Sequence, residues 1–381
     1  MIPRIFLYLV LLTLFLTQTL RAQITQNTEK LNRWQEKYEA GIPRLSVATL
    51  PVYNVDHGFA LSAATGVSFK TRRNNNYLSH SFLPLAFTTN FKDKHAFAGR
   101  LTSYWFDDIL KLDVYGGLQN RRENYWGIGM EAAKKIDKRD NSTEYHKNWT
   151  KGQVDLLVKL YRTIYGGVVF SYNAMHATDL PPKLIEDPFI FNQGSTITNA
   201  GFGFSLKIEP GFFESPFLKN ALLEVSYLNF SEKRNSDFSY QKYYINYRHA
   251  MRAEIFSGAF SWQVVNEINT GEVPWSDMAS LGGEQGVWGI PEGKYRDKSM
   301  SRMFIEYAYI FGEGGNAFTN RHETFIQFGG GTTYGHSNNN QVIYNMAAGY
   351  RFLFQPSVKM QYIIGIADGY VGTYLGFLKS F

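Results

Sequence analysis

GFALSAATGVSFK, Gly58 to Lys70, alternates without a break. Phe59, Leu61, Ala63, Thr65, Val67 and Phe69 fall on one side of an extended chain. Gly58, Ala60, Ser62, Ala64, Gly66, Ser68 and Lys70 fall on the other. Period two with one greasy face is the pattern of a half-buried strand. The second face is small and polar, so the bulky face needs a continuous apolar neighbour. Hydrocarbon fits that requirement, whereas a sandwich would turn its apolar side inward and its polar side out.

The same alternation recurs down the chain. Val342, Tyr344, Met346, Ala348, Tyr350, Phe352 and Phe354 oppose Gln341, Asn345, Gly349 and Arg351. Met303, Ile305, Tyr307, Tyr309 and Phe311 oppose Arg302 and Glu306, and Phe256, Phe260, Trp262 and Val264 oppose Ser257, Ser261, Gln263 and Glu267. Charges on the inner face of a spanning strand are tolerable where the interior is wet or supplies partners. Runs and turns predict about sixteen strands: 44–54, 58–71, 77–90, 95–106, 109–121, 150–162, 164–177, 196–208, 219–232, 237–249, 252–269, 301–312, 322–335, 341–354, 357–367 and 370–381. An even number suits a bacterial barrel. The long connections 122–149, 178–195 and 270–300 follow the fifth, seventh and eleventh strands, so all three open on one side; 209–218, after the eighth strand, is the long exception on the periplasmic side. The expected fold is therefore an all-β transmembrane antiparallel barrel over 44–381.

Composition agrees. Arg4, the apolar run Ile5 to Leu16 and Leu20-Arg21-Ala22 read as a secretory signal over 1–22, cut ahead of Gln23; a retained anchor is the alternative. Residues 23–43 form a short periplasmic segment in this reading, helical or frayed. Without Arg4 and Arg21, 37 basic residues face 33 acidic ones, which gives no reason to expect nucleic acid as a partner. The chain has no cysteine, 25 Tyr, 30 Phe and 34 Gly, and no later stretch is long enough for a spanning helix. The expected partners are outer-membrane lipid and other outer-membrane or periplasmic proteins.

One stretch breaks the strand pattern. LGGEQGVWGIPEGKYRDK, Leu281 to Lys298, holds five glycines and Pro291, so it forms neither helix nor regular strand. Val287, Trp288, Ile290 and Tyr295 are bulky, and Lys294, Arg296, Asp297 and Lys298 need partners if enclosed. The stretch is either an ordinary surface loop or one folded into the barrel, and the second reading accounts for its bulk.

Here the chain resembles the barrel of the BamA/TamA-type outer-membrane assembly superfamily, the bacterial surface antigen family. Gly271 to Gly283 followed by VWGIPEGKYRDK is similar to that family's eleventh strand and sixth surface loop. Tyr125 to Met130 (YWGIGM) is similar to its Y-G-I-G segment, and Thr373 to Phe381 ends on an aromatic like a barrel-assembly signal, with Phe377 and Phe381 as its aromatics. The resemblance implies a lumen loop carrying Val287, Trp288, Gly289, Ile290, Arg296 and Asp297. It also implies an Arg at the Trp288 position paired with an Asp on the thirteenth strand, where this chain has Gln327. Both halves are thus neutral, which avoids stranding a charge. Trp288 is expected to stack near Gln327, with Arg296 and Glu306 as a substitute pair. The family's periplasmic POTRA domains have no counterpart in 23–43, so a barrel-only member is expected.

In that family the first and last strands meet at a weak seam. Pro51 in the first strand cannot donate a ladder hydrogen bond, and Gly372 and Gly376 weaken the last; alternatively Pro51 merely ends its strand. The implied function is insertion or movement of polypeptides, or service as a subunit of a larger outer-membrane complex. The alternatives are a passive pore for small solutes and a structural interaction barrel. No enzymatic constellation, cofactor site or metal site is expected: the eight histidines lack ligand spacing, and the glycine run 329–331 precedes no helix. Leu184 to Phe191 (LIEDPFIF) reads as a loop, either folded over the mouth or lying at the surface.

Overall fold

The computed structural model describes residues 33, 36–37, 39–54, 56, 58–75, 77–136, 143–210, 220–253, 258–283, 286–311, 321–336, 341–355 and 358–378. The expected signal 1–22, most of 23–43 and Phe381 lie outside the described residues. So does the side chain of Phe377.

The described strands are β1 (Arg44–Asn54), β2 (Gly58–Phe69), β3 (Ser81–Thr89), β4 (His95–Trp105), β5 (Leu110–Asn124), β6 (Glu144–Tyr161), β7 (Ile164–Thr178), β8 (Thr196–Ile208), β9 (Leu222–Phe230), β10 (Tyr240–Ala253), β11 (Gly258–Gly271), β12 (Ala279–Ser280), β13 (Arg296–Asp297), β14 (Ser299–Ile310), β15 (His322–Tyr334), β16 (Ile343–Gln355), β17 (Val358–Ala367) and β18 (Tyr370–Leu378). Sixteen of them close an antiparallel barrel in which each strand pairs with its chain neighbours and β1 meets β18. The two-residue strands β12 and β13 pair only with each other, inside the connection between β11 and β14.

The alternation read from the sequence is the alternation of the wall. Phe59 is 72% exposed while Ser62 is 4% exposed. Val168, Phe170, Tyr344, Met346 and Ile364 likewise stand out from the wall, while Ser171, Asn173, Asn345 and Ile363 are buried on the other face. This exposed apolar belt is what lipid covers. Among the described residues no helix is long and apolar enough to cross a membrane, and the chain crosses with strands.

Two hairpins differ most from the sequence reading. β5 and β6 run on to Asn124 and back from Glu144, six residues beyond the expected start of β6 at 150. Arg122 Nη1 donates to Glu144 Oε1 at 3.1 Å, and Lys147 pairs with Glu123 at 3.1 Å. Charges that looked like loop are cross-strand pairs on a hairpin standing above the belt. β10 runs on to Ala253 and β11 starts at Gly258, where the sequence reading ended one strand at 249 and began the next at 252; residues 254–257 lie outside the described residues.

Candidate functional site

The connection from β11 to β14 is held by three parts of the wall. At its start Asp277 accepts hydrogen bonds from Asn199 Nδ2 at 2.9 Å, from Tyr240 OH at 2.7 Å and from Asn173. These residues lie on β8, β10 and β7, on the face opposite the apolar belt. Trp275 beside it is fully buried. Its backbone N–H donates to Gln193 Oε1 at 2.8 Å and its indole N–H to the Gly194 carbonyl at 3.0 Å. Gln193 and Gly194 belong to the β7–β8 connection, whose short helices α2 (Pro182–Ile185) and α3 (Pro188–Gln193) set Leu184 and Ile190 into the same apolar cluster. Thus LIEDPFIF packs onto the β11–β14 connection.

In the middle, Leu281, Val287, Ile290 and Tyr295 have no exposed surface. They pack with Val265, Met300, Phe304 and Ile343 of the wall and with Met130 and Ala133 of helix α1 (Met130–Lys134). The YWGIGM segment that opens α1 is bonded to this stretch: Gly129 N–H donates to the Arg296 carbonyl at 2.8 Å and the Trp126 indole to the Glu292 carbonyl at 3.2 Å. Arg121 on β5 binds the Glu292 carboxylate. Two of the motifs that carried the family resemblance therefore touch.

The third hold is on β17 and β18. Trp288 stacks edge-on against Tyr374, centroids 4.8 Å apart, within a cluster of Phe325, Ala347 and Ile363. Gly289 has φ +103°, and a Cβ there would lie 2.8 Å from the Ala367 nitrogen. Across the contact, a Cβ on Gly365 would lie 2.5 Å from Trp288 Cβ. Only two glycines facing each other permit this approach. Tyr374 OH accepts from Gly289 N–H at 3.3 Å. Lys294, 2% exposed, donates to Tyr370 OH and lies 4.2 Å from that ring's centroid and 4.9 Å from that of Trp126. Tyr295 OH donates to Asp368, and burial, then that bond, hold its phenol above the ordinary range.

The substitute ion pair expected beside Trp288 needs correcting. Gln327 Nε2 donates to Glu306 at 3.3 Å, and the ring that Trp288 meets is that of Tyr374. The Arg296–Glu306 pair is not made. Arg351 takes Glu306 with both terminal nitrogens, at 2.6 and 2.8 Å, and also binds Glu323 at 3.2 Å. The reason is placement: register sets Glu306 beside Gln327 on β15, next to β16, which carries Arg351. Arg296 sits on β13, where its Nη1 donates to the Trp275 carbonyl at 3.2 Å. Asp297 is fully buried and accepts from the N–H groups of Lys298 and His336 at 2.6 and 2.7 Å.

At the seam, among the described residues, two positions of β1 and β18 are in register, Tyr53 with Leu375 and Asn54 with Tyr374. β5 and β6 share fifteen. One step beyond Tyr53 the register would set Val52 against Gly376, and the next would set Pro51 against Phe377. The ladder stops where one strand lacks a side chain and the other lacks an N–H. Pro51 lies inside β1, opposite Leu61 of β2, and so does not end its strand. Gly372 flanks the other end of the paired positions, under the ring of Tyr374.

A sixteen-stranded closed wall, a long connection bonded to its polar face and a barely paired junction of first and last strands now stand together. This is the fold of the BamA and CdiB barrels. The structure is similar to BamA from Haemophilus ducreyi lacking POTRA domains 1–3, with TM-score 0.57 and 12% identity over 91% of this chain and 76% of that one. It is similar to CdiB from Escherichia coli, with TM-score 0.59 and 11% identity over 92% and 69%. CdiB from Acinetobacter baumannii matches with TM-score 0.55 and 11% identity over 87% and 58%. No family model matches the sequence, and no curated protein does. A barrel of the BamA and CdiB fold with this apolar belt belongs in the bacterial outer membrane.

Sequence reasoning missed Asp277 and Tyr370, and it named Lys294 and Arg351 without their partners. Asp277 carried a signal, an acid amid apolar residues in GEVPWSDMASLGG. The others depend on partners far away in the chain.

Proposed function

We propose that this chain is a plugged outer-membrane barrel that acts at its β1–β18 seam, inserting or moving other polypeptides, alone or as a subunit of a larger complex. The observation that carries the reading is the seam itself, where two registered positions do the work that up to fifteen do elsewhere. A junction held by so few ladder bonds opens at lower free energy than the rest of the wall. The unpaired edge of a strand is also a template for another strand. The plug reading is supported by the contacts of the β11–β14 connection. Asn199 on β8 and Gly365 on β17 are seven neighbours apart around the ring of sixteen, and one connection touches both on their inner side. The proposal assigns the chain no bond-making chemistry.

A disulfide across the seam, Tyr53→Cys with Leu375→Cys, tests this. In proteoliposomes the reduced protein speeds the folding of an unfolded test barrel polypeptide, and the oxidised protein does no better than empty liposomes. Equal acceleration by the oxidised protein overturns the reading. A passive pore predicts steady conductance from the intact protein; the plugged reading predicts little.

A further inference from the structure

The hold on β17 and β18 is one half of a larger arrangement. Three residues of the run Glu292 to Tyr295 bond to the two sides of the seam. On the β1 side, Asp56 in the β1–β2 turn accepts a hydrogen bond from Glu292 N–H at 3.1 Å. On the β18 side, Lys294 donates to Tyr370, the first residue of β18, and Tyr295 to Asp368, in the turn before it. Behind them the Glu292 carboxylate is tied to Arg121 on β5, part of the long-registered wall. Lower down, Tyr374 both meets Asn54 across the seam and supports Trp288 and Gly289.

The geometry points to a clasp: residues 292–295 bridge the two lips of the seam at the end of the long connections and hold them shut. This rests on the seam as the working element and adds what governs it. Lys294 is central. Among the described residues no carboxylate lies within ion-pair distance of it, and its charge is held by the Trp126 and Tyr370 rings, at longer range by that of Tyr295, and by one phenol oxygen. A buried cation held this way is stable only while those rings stay in place. Parting the lips would carry Tyr370 away from Trp126, and the two rings would no longer enclose the cation. Coupling of this kind is reciprocal: what loosens the clasp loosens the seam, and what locks the seam steadies the clasp.

Hydrogen exchange of the whole protein in nanodiscs, with no client present, tests both directions. In Lys294→Met and in Asp56→Ala, amides of Tyr53, Asn54 and 370–376 exchange about tenfold faster while those of β5–β8 are unchanged. In the oxidised Tyr53→Cys/Leu375→Cys protein, amides of 286–295 exchange more slowly than in the reduced protein. Seam exchange that stays at the wild-type rate in both clasp variants overturns the proposal. So does plug exchange that is indifferent to the disulfide. If Lys294→Met fails to fold, Asp56→Ala and the disulfide arm still decide. Because no client is used, this result stands apart from the folding assay: coupled exchange without client folding would keep the clasp and remove the proposed function.

Discussion

The wall from β5 to β8 and the junction of β1 with β18 are built from the same kind of strand and differ in what lies between the strands. In the first, Lys207 Nζ gathers Asp155, Asp113 and Glu224 at 2.6, 2.8 and 3.2 Å, across β5, β6, β8 and β9. Lys111 and Arg100 add to the charge around Asp113, at 3.7 and 3.8 Å. The ladder there is unbroken over fifteen positions. At the junction the ladder is two positions long among the described residues, flanked by Pro51 and Gly376, and the β11–β14 connection bonds to the turn beside it. A closed ring need not be uniformly strong. Rigidity is concentrated where charges are buried together, and the weak place is stapled by groups that can let go.

The largest effect is expected from Lys207→Met. Three carboxylates would lose their common cation inside the wall, at a cost of about 3–5 kcal/mol. Urea unfolding in detergent, followed by heat-modifiable mobility, checks it; a small shift would mean that lumen water serves as well as the lysine. Next is Gly365→Val. Its Cβ would overlap Trp288, and overpacking of this kind costs about 1–3 kcal/mol. The plug rather than the wall should yield, so single-channel conductance rises several-fold while the unfolding midpoint moves little. Smallest is Pro51→Val, which restores one backbone donor worth about 1 kcal/mol. It should slow exchange of β18 amides and slow client folding in proportion. No change in either would assign the short ladder to Gly376 and the loop, not to the proline.

Much of this contrast could be read from the chain before any coordinates. Period two with aromatics on one side is local, and Phe59 against Ser62 is enough to orient a strand. Pro51 and Gly376 are likewise local, since a missing N–H or a missing Cβ acts wherever it sits. The burial of Val287 and Ile290 was legible through composition, since such side chains are too bulky for a solvated turn. Pairings were not legible. Glu306 with Arg351 joins residues 45 apart, and Arg121 with Glu292 joins residues 171 apart. Nothing in either segment names the other, because register around a closed ring decides which charges meet. The extension of β5 and β6 was missed for a related reason: paired charges look like loop until the partner strand is in place.

The facing glycines 289 and 365 carry one more implication, for biogenesis. Residues 272–298 are made before β17, and the gap they occupy against it admits no Cβ on either side. Threading Trp288 through that gap after the cylinder has closed would mean prying the final hairpin off again. The economical order is the order of synthesis: the connection settles first, and the C-terminal hairpin arrives last, closing over a tenant already in residence.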